Sequence, residues 1–216
     1  MGVGFAIPVK QAAAALSDFF TPEVTHGLWF GLKVKTSPYP LIISAVQPGS
    51  PAEKAGLRAG QEIVEVNGKP VGSLVDFNQR VTTNEKNRAA ITVSDKGARR
   101  TVQAQLVPFA ELIRERLGLT LAKLTEQQAA SFQANPGQGL LIEAVEKNGP
   151  ADRAQIKAGF LLTGIDGQSA AELITAASVL CTKSPGERVR LDIVARQIVG
   201  NGYTRLQQGT ATVEVR

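Results

Sequence analysis

Two side-chain types central to acid–base and thiol chemistry occur once each in 216 residues: one histidine, His26, and one cysteine, Cys181. A catalytic triad needs a base that touches the nucleophile and is itself oriented by a carboxylate. His26 is the sole candidate base and sits beside a predicted loop, so it reads as loop structure and the chain as non-catalytic. Cys181 can form no internal disulfide and lacks the Cys/His partners of a zinc site. It ends the apolar run Ala176–Cys181, where a thiol packs as a small hydrophobe. No metal and no cofactor are expected. The net charge of +5 is spread over single Lys and Arg residues alternating with acids, without the basic and aromatic interleaving of a nucleic-acid groove, so no nucleic acid is expected as partner. No stretch approaches the ~20 apolar residues of a membrane span, and the N-terminus lacks the charged and apolar regions of a signal peptide.

The remaining candidates work through their backbone, and their positions are set by an internal repeat. Ser50-Pro-Ala-Glu-Lys-Ala-Gly-Leu-Arg-Ala-Gly60 and Ile63-Val-Glu-Val-Asn-Gly68 recur 99 positions later as Gly149-Pro-Ala-Asp-Arg-Ala-Gln-Ile-Lys-Ala-Gly159 and Leu162-Thr-Gly-Ile-Asp-Gly167. Proline at the first helical position and glycine after the last describe a short helix. Alternation over Ile63–Val66 describes a strand, and Asn67-Gly68 and Asp166-Gly167 are tight-turn pairs because both residue types tolerate positive φ. Such pieces bury a core only as parts of a larger, mostly β domain, so the duplication sets a count of two domains. Before each copy, Trp29-Phe-Gly-Leu-Lys-Val34 and Arg116-Leu-Gly-Leu-Thr-Leu121 read as a glycine turn entering a half-buried strand. Strands are expected over Leu41–Val46 and Leu140–Val145. The second copy has an extra loop, Leu124–Gly139, with a short helix and a turn. After each copy comes a helix: one capped by Ser73, with Leu74, Phe77 and Val81 at helical spacing, and one over Ala170–Thr182. Two strands close each unit, Ala89–Ser94 with Thr101–Val107 and Arg188–Ala195 with Thr210–Val215. Pro108–Glu115 reads as a linker with one helical turn or two.

These residues resemble the PDZ family in its bacterial, HtrA-protease arrangement. Phe30-Gly31-Leu32 and Leu117-Gly118-Leu119 are similar to the family's apolar-Gly-apolar carboxylate loop, and Ser50–Val71 resembles the PDZ segment that follows. The second copy departs from that pattern at Gln155, at Phe160-Leu161 and at Gly164. Gly2-Val-Gly-Phe-Ala-Ile-Pro8 is similar to the strand ending the protease domain of the same proteins, and a helical stretch, Gln11–Phe20, follows it.

The resemblance implies an α+β, mainly β architecture of two PDZ-like domains, each a partly open five- to six-stranded barrel or sandwich capped by two short helices. The expected division is 1–24 as protease remnant and linker helix, 25–107 as domain 1, 108–115 as linker and 116–216 as domain 2. It further implies binding of C-terminal or unfolded, extended apolar peptides as an added strand, with the loop amides around Gly31 and Gly118 forming an anion nest for a terminal carboxylate. Phe30, Leu32 and Val34, and in the second copy Leu117, Leu119 and Leu121, are expected to line an apolar pocket, with Val81 and Ala177 on the opposite helix. Trp29 is expected to anchor the loop by packing. The remaining implied partners are a parent trypsin-like serine protease domain and other copies of the chain, through which the pair would serve as a scaffold, or through the exposed Val3–Ile7 segment added to a neighbour's sheet edge. The implied compartment is periplasmic or otherwise extracytoplasmic.

Overall fold

The computed structural model describes residues 21–35, 40–84, 86–199 and 203–216. The strand expected at Gly2–Pro8, with its Val3–Ile7 edge, and the helix expected over Gln11–Phe20 lie outside the described residues. The chain divides into unit 1, Met1–Val107, and unit 2, Pro108–Arg216.

Unit 1 begins with helix α1 (Pro22–His26), which Thr21 caps by accepting from the Val24 N–H. Two-residue strand β1 (Leu28–Trp29) follows and pairs with β8 (Val107–Pro108), whose Val107 closes the unit. The main sheet is built from β2 (Leu32–Lys35), β3 (Ile42–Val46), β4 (Glu62–Val66), β5 (Lys69–Pro70), β6 (Arg88–Asp95) and β7 (Ala98–Gln105). Its order is β2-β3-β4-β6-β7, with β5 paired to β4, so β2 lies at one edge. Helix α2 (Pro51–Lys54) is the repeat's Pro-Ala helix, capped by Ser50. Helix α3 (Leu74–Thr82) starts where Ser73 predicts, its hydroxyl accepting from the Asp76 N–H at 3.1 Å. Phe77 and Val81 of α3 point into a core that includes Phe30, Leu32, Ile43, Ile63 and Ile91.

Unit 2 repeats the plan with additions. Helix α4 (Phe109–Leu117) leads into β9 (Leu119–Lys123), helix α5 (Glu126–Ser131), β10 (Leu140–Val145), helix α6 (Pro150–Arg153), β11 (Leu161–Ile165), β12 (Gln168–Ser169), helix α7 (Leu173–Cys181), β13 (Arg188–Val199) and β14 (Tyr203–Glu214). The sheet order is β14-β13-β11-β10-β9, with β12 paired to β11. The mainly β reading holds, and neither sheet closes into a barrel. More helices cap the sheets than the two expected per domain: α1 to α3 in unit 1 and α4 to α7 in unit 2. The extra ones come from the segment before each glycine turn and from the insertion, where Thr125 and Gln128 form a reciprocal capping box that starts α5. Pro108–Glu115, read as a linker with one helical turn or two, is helical as expected but runs on to Leu117, and α4 buries Phe109, Leu112, Ile113 and Leu117 and packs on α7. The closing hairpin of unit 2 is also longer than expected, pairing from Arg188↔Glu214 to Val199↔Tyr203.

The repeat extends to irregularities that no residue pattern announces. The β2–β3 ladder slips between Ile43 and Ala45, and β9–β10 slips between Ile142 and Ala144. The β4–β6 ladder slips between Ile63 and Glu65, and β11–β13 between Leu162 and Gly164. Each bulge recurs at the repeat offset, and bulges bend and re-aim a strand. At Gly164 a Cβ would lie 2.6 Å from Asp192 Oδ2, so this departure from the pattern relieves a close approach. The turns recur as well: Asn67 and Asp166 both have positive φ, and their side chains accept from the Ala90 and Arg190 N–H at 2.9 and 2.8 Å. Burial acts first and raises the Asp166 pKa, but the Lys183 ammonium and the Arg190 donor together leave it below the usual carboxylate range.

Gln155 keeps the left-handed conformation of its counterpart Gly56, with φ of 60° against 81°. A side chain there costs about 1 kcal/mol or more, part of which glycine returns as unfolded-state entropy. Gln155→Gly is therefore expected to stabilise unit 2 by up to about 1 kcal/mol, read as a higher urea midpoint by circular dichroism with an unchanged slope.

Candidate functional site

In unit 1 the chain leaves β1, turns at Phe30-Gly31 and enters β2, and the turn is fixed from three sides. The Phe30 carbonyl accepts from the Ala52 N–H of α2 at 3.0 Å, and the Gly31 carbonyl accepts from the Gln47 N–H at 2.9 Å. Trp29 is 3% exposed, and its indole N–H donates to Gln47 Oε1 at 3.0 Å, which is the packing anchor expected of it. Gly31 has φ of +73°, and a Cβ built on it would lie 2.3 Å from Ser50 Cβ. Only glycine fits this position. With both carbonyls turned away into the fold, the Phe30 and Gly31 N–H groups point together to the other side. Both donate, at 2.8 Å, to one carboxylate oxygen, Glu23 Oε1. Two adjacent amides converging on one oxygen are the geometry of a backbone anion nest.

The turn of unit 2 is built differently. Leu117 is the last residue of α4, and Gly118, at φ 70° and ψ 29°, is that helix's left-handed C-cap. The Gly118 N–H donates to the Arg114 carbonyl at 2.9 Å. The amide expected to hold an anion is thus engaged in ending a helix. Both turns share a tie on the carbonyl side, where the Gly118 oxygen accepts from the Glu146 N–H at 2.8 Å, as Gly31 does from Gln47. The carboxylate nearest this turn, Glu146, is met by the Arg216 guanidinium, which also donates to the Glu115 and Arg114 carbonyls of α4. The Arg216 hydrogen bond outweighs desolvation and holds the Glu146 pKa below the usual carboxylate range.

The apolar candidates fall into place as core. Phe30, Leu32, Val34 and Val81 belong to one buried cluster, where the Phe30 and Phe77 rings stand 6.4 Å apart. Phe30 precedes β2, and Leu32 and Val34 share its buried face while Lys33 and Lys35 are exposed. In unit 2, Leu119 and Leu121 alternate in the same way on β9, Leu117 lies on α4 and Ala177 on α7, and all four are buried. Cys181 is a buried free thiol. His26 is exposed and makes a 2.8 Å contact from Nδ1 to Thr25 Oγ1. Among the described residues, no group of three or more His, Cys, Asp or Glu could hold a metal, and no helix is long and apolar enough to cross a membrane. Sequence reasoning missed Glu23, Thr25 and Asn78. The helix start at Thr21-Pro22 was readable as a cap followed by proline at the first helical position, but nothing local announces that the next carboxylate folds back onto the turn.

Comparison with known proteins gives a consistent identity for both units. A PDZ domain model matches residues 42–93, and a second PDZ domain model matches residues 106–194. A "Probable periplasmic serine endoprotease DegP-like" of Marinomonas sp. is 26% identical over 90% of this chain and 45% of its own length. The "Periplasmic pH-dependent serine endoprotease DegQ" of Escherichia coli is 28% identical over 92% of this chain and 45% of its own. The "Putative zinc metalloprotease NMA0084" of Neisseria meningitidis is 29% identical over 83% of this chain and 38% of its own. The chain thus spans less than half the length of these relatives.

Proposed function

This chain belongs to the PDZ family as two PDZ domains in tandem, and from that premise we propose that unit 1 is a receptor for the C-termini or extended segments of unfolded polypeptides. The observation that carries the reading is the pair of amides, Phe30 and Gly31, meeting one carboxylate oxygen at 2.8 Å. A terminal carboxylate has the same chemistry as the side chain found there. The strand that follows the pair, β2, is hydrogen-bonded on one side only among the described residues. A peptide anchored at the turn would therefore continue as an added strand along this edge, held by main-chain hydrogen bonds. The apolar side chains behind the turn supply the floor against which an apolar terminal residue packs.

Unit 2 keeps the fold, but its equivalent amide is committed to a helix end. Its share is structural or regulatory: holding the pair together with a longer protein or with other copies of the chain. That longer protein is proposed to be an extracytoplasmic serine endoprotease, for which unit 1 recruits unfolded substrates. Two DegP- and DegQ-type relatives aligned over nine-tenths of this chain favour that class.

A fluorescein-labelled octapeptide ending in Ala-Leu-Val, titrated into the full chain by anisotropy, tests the receptor reading. Converting its terminal carboxylate to an amide is expected to weaken binding roughly tenfold, and N-methylation at alternate peptide nitrogens to weaken it further. Equal affinity of acid and amide would remove the carboxylate site.

A further inference from the structure

The carboxylate on the nest belongs to the chain itself. Glu23 lies in the first turn of α1, and its Oε1 takes both amides that a ligand's terminus would use. One pair of N–H groups cannot serve two carboxylates, so ligand and Glu23 exclude one another.

The same helix is tied to the other wall of the groove. Thr25 Oγ1 accepts from Asn78 Nδ2 of α3 at 3.1 Å, and Pro22 is buried. Helix α1 therefore bridges the turn and α3, across the mouth through which a peptide end would enter. It has five residues, far below the length at which a helix is stable alone, and Val24, Thr25 and His26 are exposed on its outer side. A second observation points to a ligand in its place. Asn78 is 4% exposed, and its Oδ1 is buried without a hydrogen-bond partner among the described residues. Such an acceptor carries a desolvation penalty until a donor arrives, and the backbone N–H of an incoming strand is one.

We propose that α1 is an intramolecular latch on unit 1, with Glu23 standing in for the terminal carboxylate of a peptide. The proposal rests on the reading of the turn as a carboxylate site. Peptide binding requires the latch to open, so the apparent affinity is the intrinsic one reduced by the open fraction. A segment that draws α1 away would switch the receptor on, and a ligand rich in carboxylate termini would open it by competition.

The test uses the full chain with Glu23→Ala and Glu23→Gln, and the labelled octapeptide ending in Ala-Leu-Val as acid and as amide. The alanine variant is expected to bind the acid peptide roughly tenfold more tightly than wild type, the glutamine variant to fall between, and the amide peptide to gain less. In peptide-free protein, the Phe30 and Gly31 amide resonances should shift in both variants, while the Trp29 fluorescence unfolding midpoint falls by no more than the stability that a tenfold gain in affinity represents, about 1.4 kcal/mol. Preference for the acid with no gain in either variant would overturn the latch and leave the carboxylate site standing. Loss of the acid-over-amide preference in every protein would overturn the site and the latch with it. Unshifted Phe30 and Gly31 resonances in both variants would overturn the contact itself.

Discussion

Gly31→Ala is expected to lower the stability of unit 1 by about 3–4 kcal/mol, whereas Gly68→Ala lowers it by about 1 kcal/mol. The two glycines have the same φ, +73°, so both substitutions impose the same left-handed strain on an L-residue. They differ in what surrounds them. At Gly68 an added Cβ meets nothing within 4 Å, while at Gly31 it falls 2.3 Å from Ser50 Cβ and 3.2 Å from Gln47 Cβ. Ser50 has no room to move: it is fully buried, and its hydroxyl accepts from the Glu53 N–H to start α2. Relief would have to come from the turn itself, pulling the Phe30 and Gly31 amides apart. The measurement is a urea titration followed by Trp29, the single tryptophan of the chain and a buried residue of unit 1. At a concentration where both variants stay folded, Gly31→Ala should also lose its preference for peptide acid over peptide amide, and Gly68→Ala should keep it. Equal losses of stability at the two glycines would mean that the close approach to Ser50 does not hold in solution.

Elements defined by neighbours in the chain were legible in advance. The Pro-Ala helices, the Asn67-Gly68 and Asp166-Gly167 turns and the Ser73 cap each follow from residue types within four positions of one another, and each stands where those types put it. The nest was half legible. Gly31 was found because a glycine between two apolar residues is a local pattern, but its occupant was not, because the Glu23 carboxylate reaches the turn only once α1 has formed and its left-handed C-cap, Gly27 at φ 63°, has reversed the chain. Gly118 shows how one residue carries two local meanings. It ends an apolar-periodic segment whose last turn holds Arg114 and Arg116, which is a helix C-terminus signal, and it also precedes an alternating strand. The family pattern favours the second meaning, and the structure obeys both by placing the glycine between helix and strand. The two bulges and the long β13–β14 hairpin were illegible, since register slips and strand extension depend on cross-strand partners rather than on the strand's own residues.

The helix that Gly118 ends yields the second large effect, because a linker and a core helix respond oppositely to truncation. In α4 the buried residues Phe109, Leu112, Ile113 and Leu117 recur at helical spacing, forming one apolar face packed against α7 and β9. Leu112 is 2% exposed, so Leu112→Ala leaves a cavity and is expected to cost unit 2 about 2–4 kcal/mol. Glu111, its exposed neighbour, makes a 3.7 Å ion pair with Arg114, so Glu111→Ala should stay within about 0.5 kcal/mol. Circular dichroism reports the helices and strands of both units, and Trp29 fluorescence reports unit 1. For Leu112→Ala the dichroism should show a fraction of the structure melting at lower urea than in wild type, with the Trp29 transition not leading it. A chain in which 109–117 were a tether between two finished domains would give the same midpoints for Leu112→Ala, Glu111→Ala and wild type. That result would mean that the apolar face of 109–117 is not part of the core of unit 2, and that the Gly118 cap ends a helix the fold does not need.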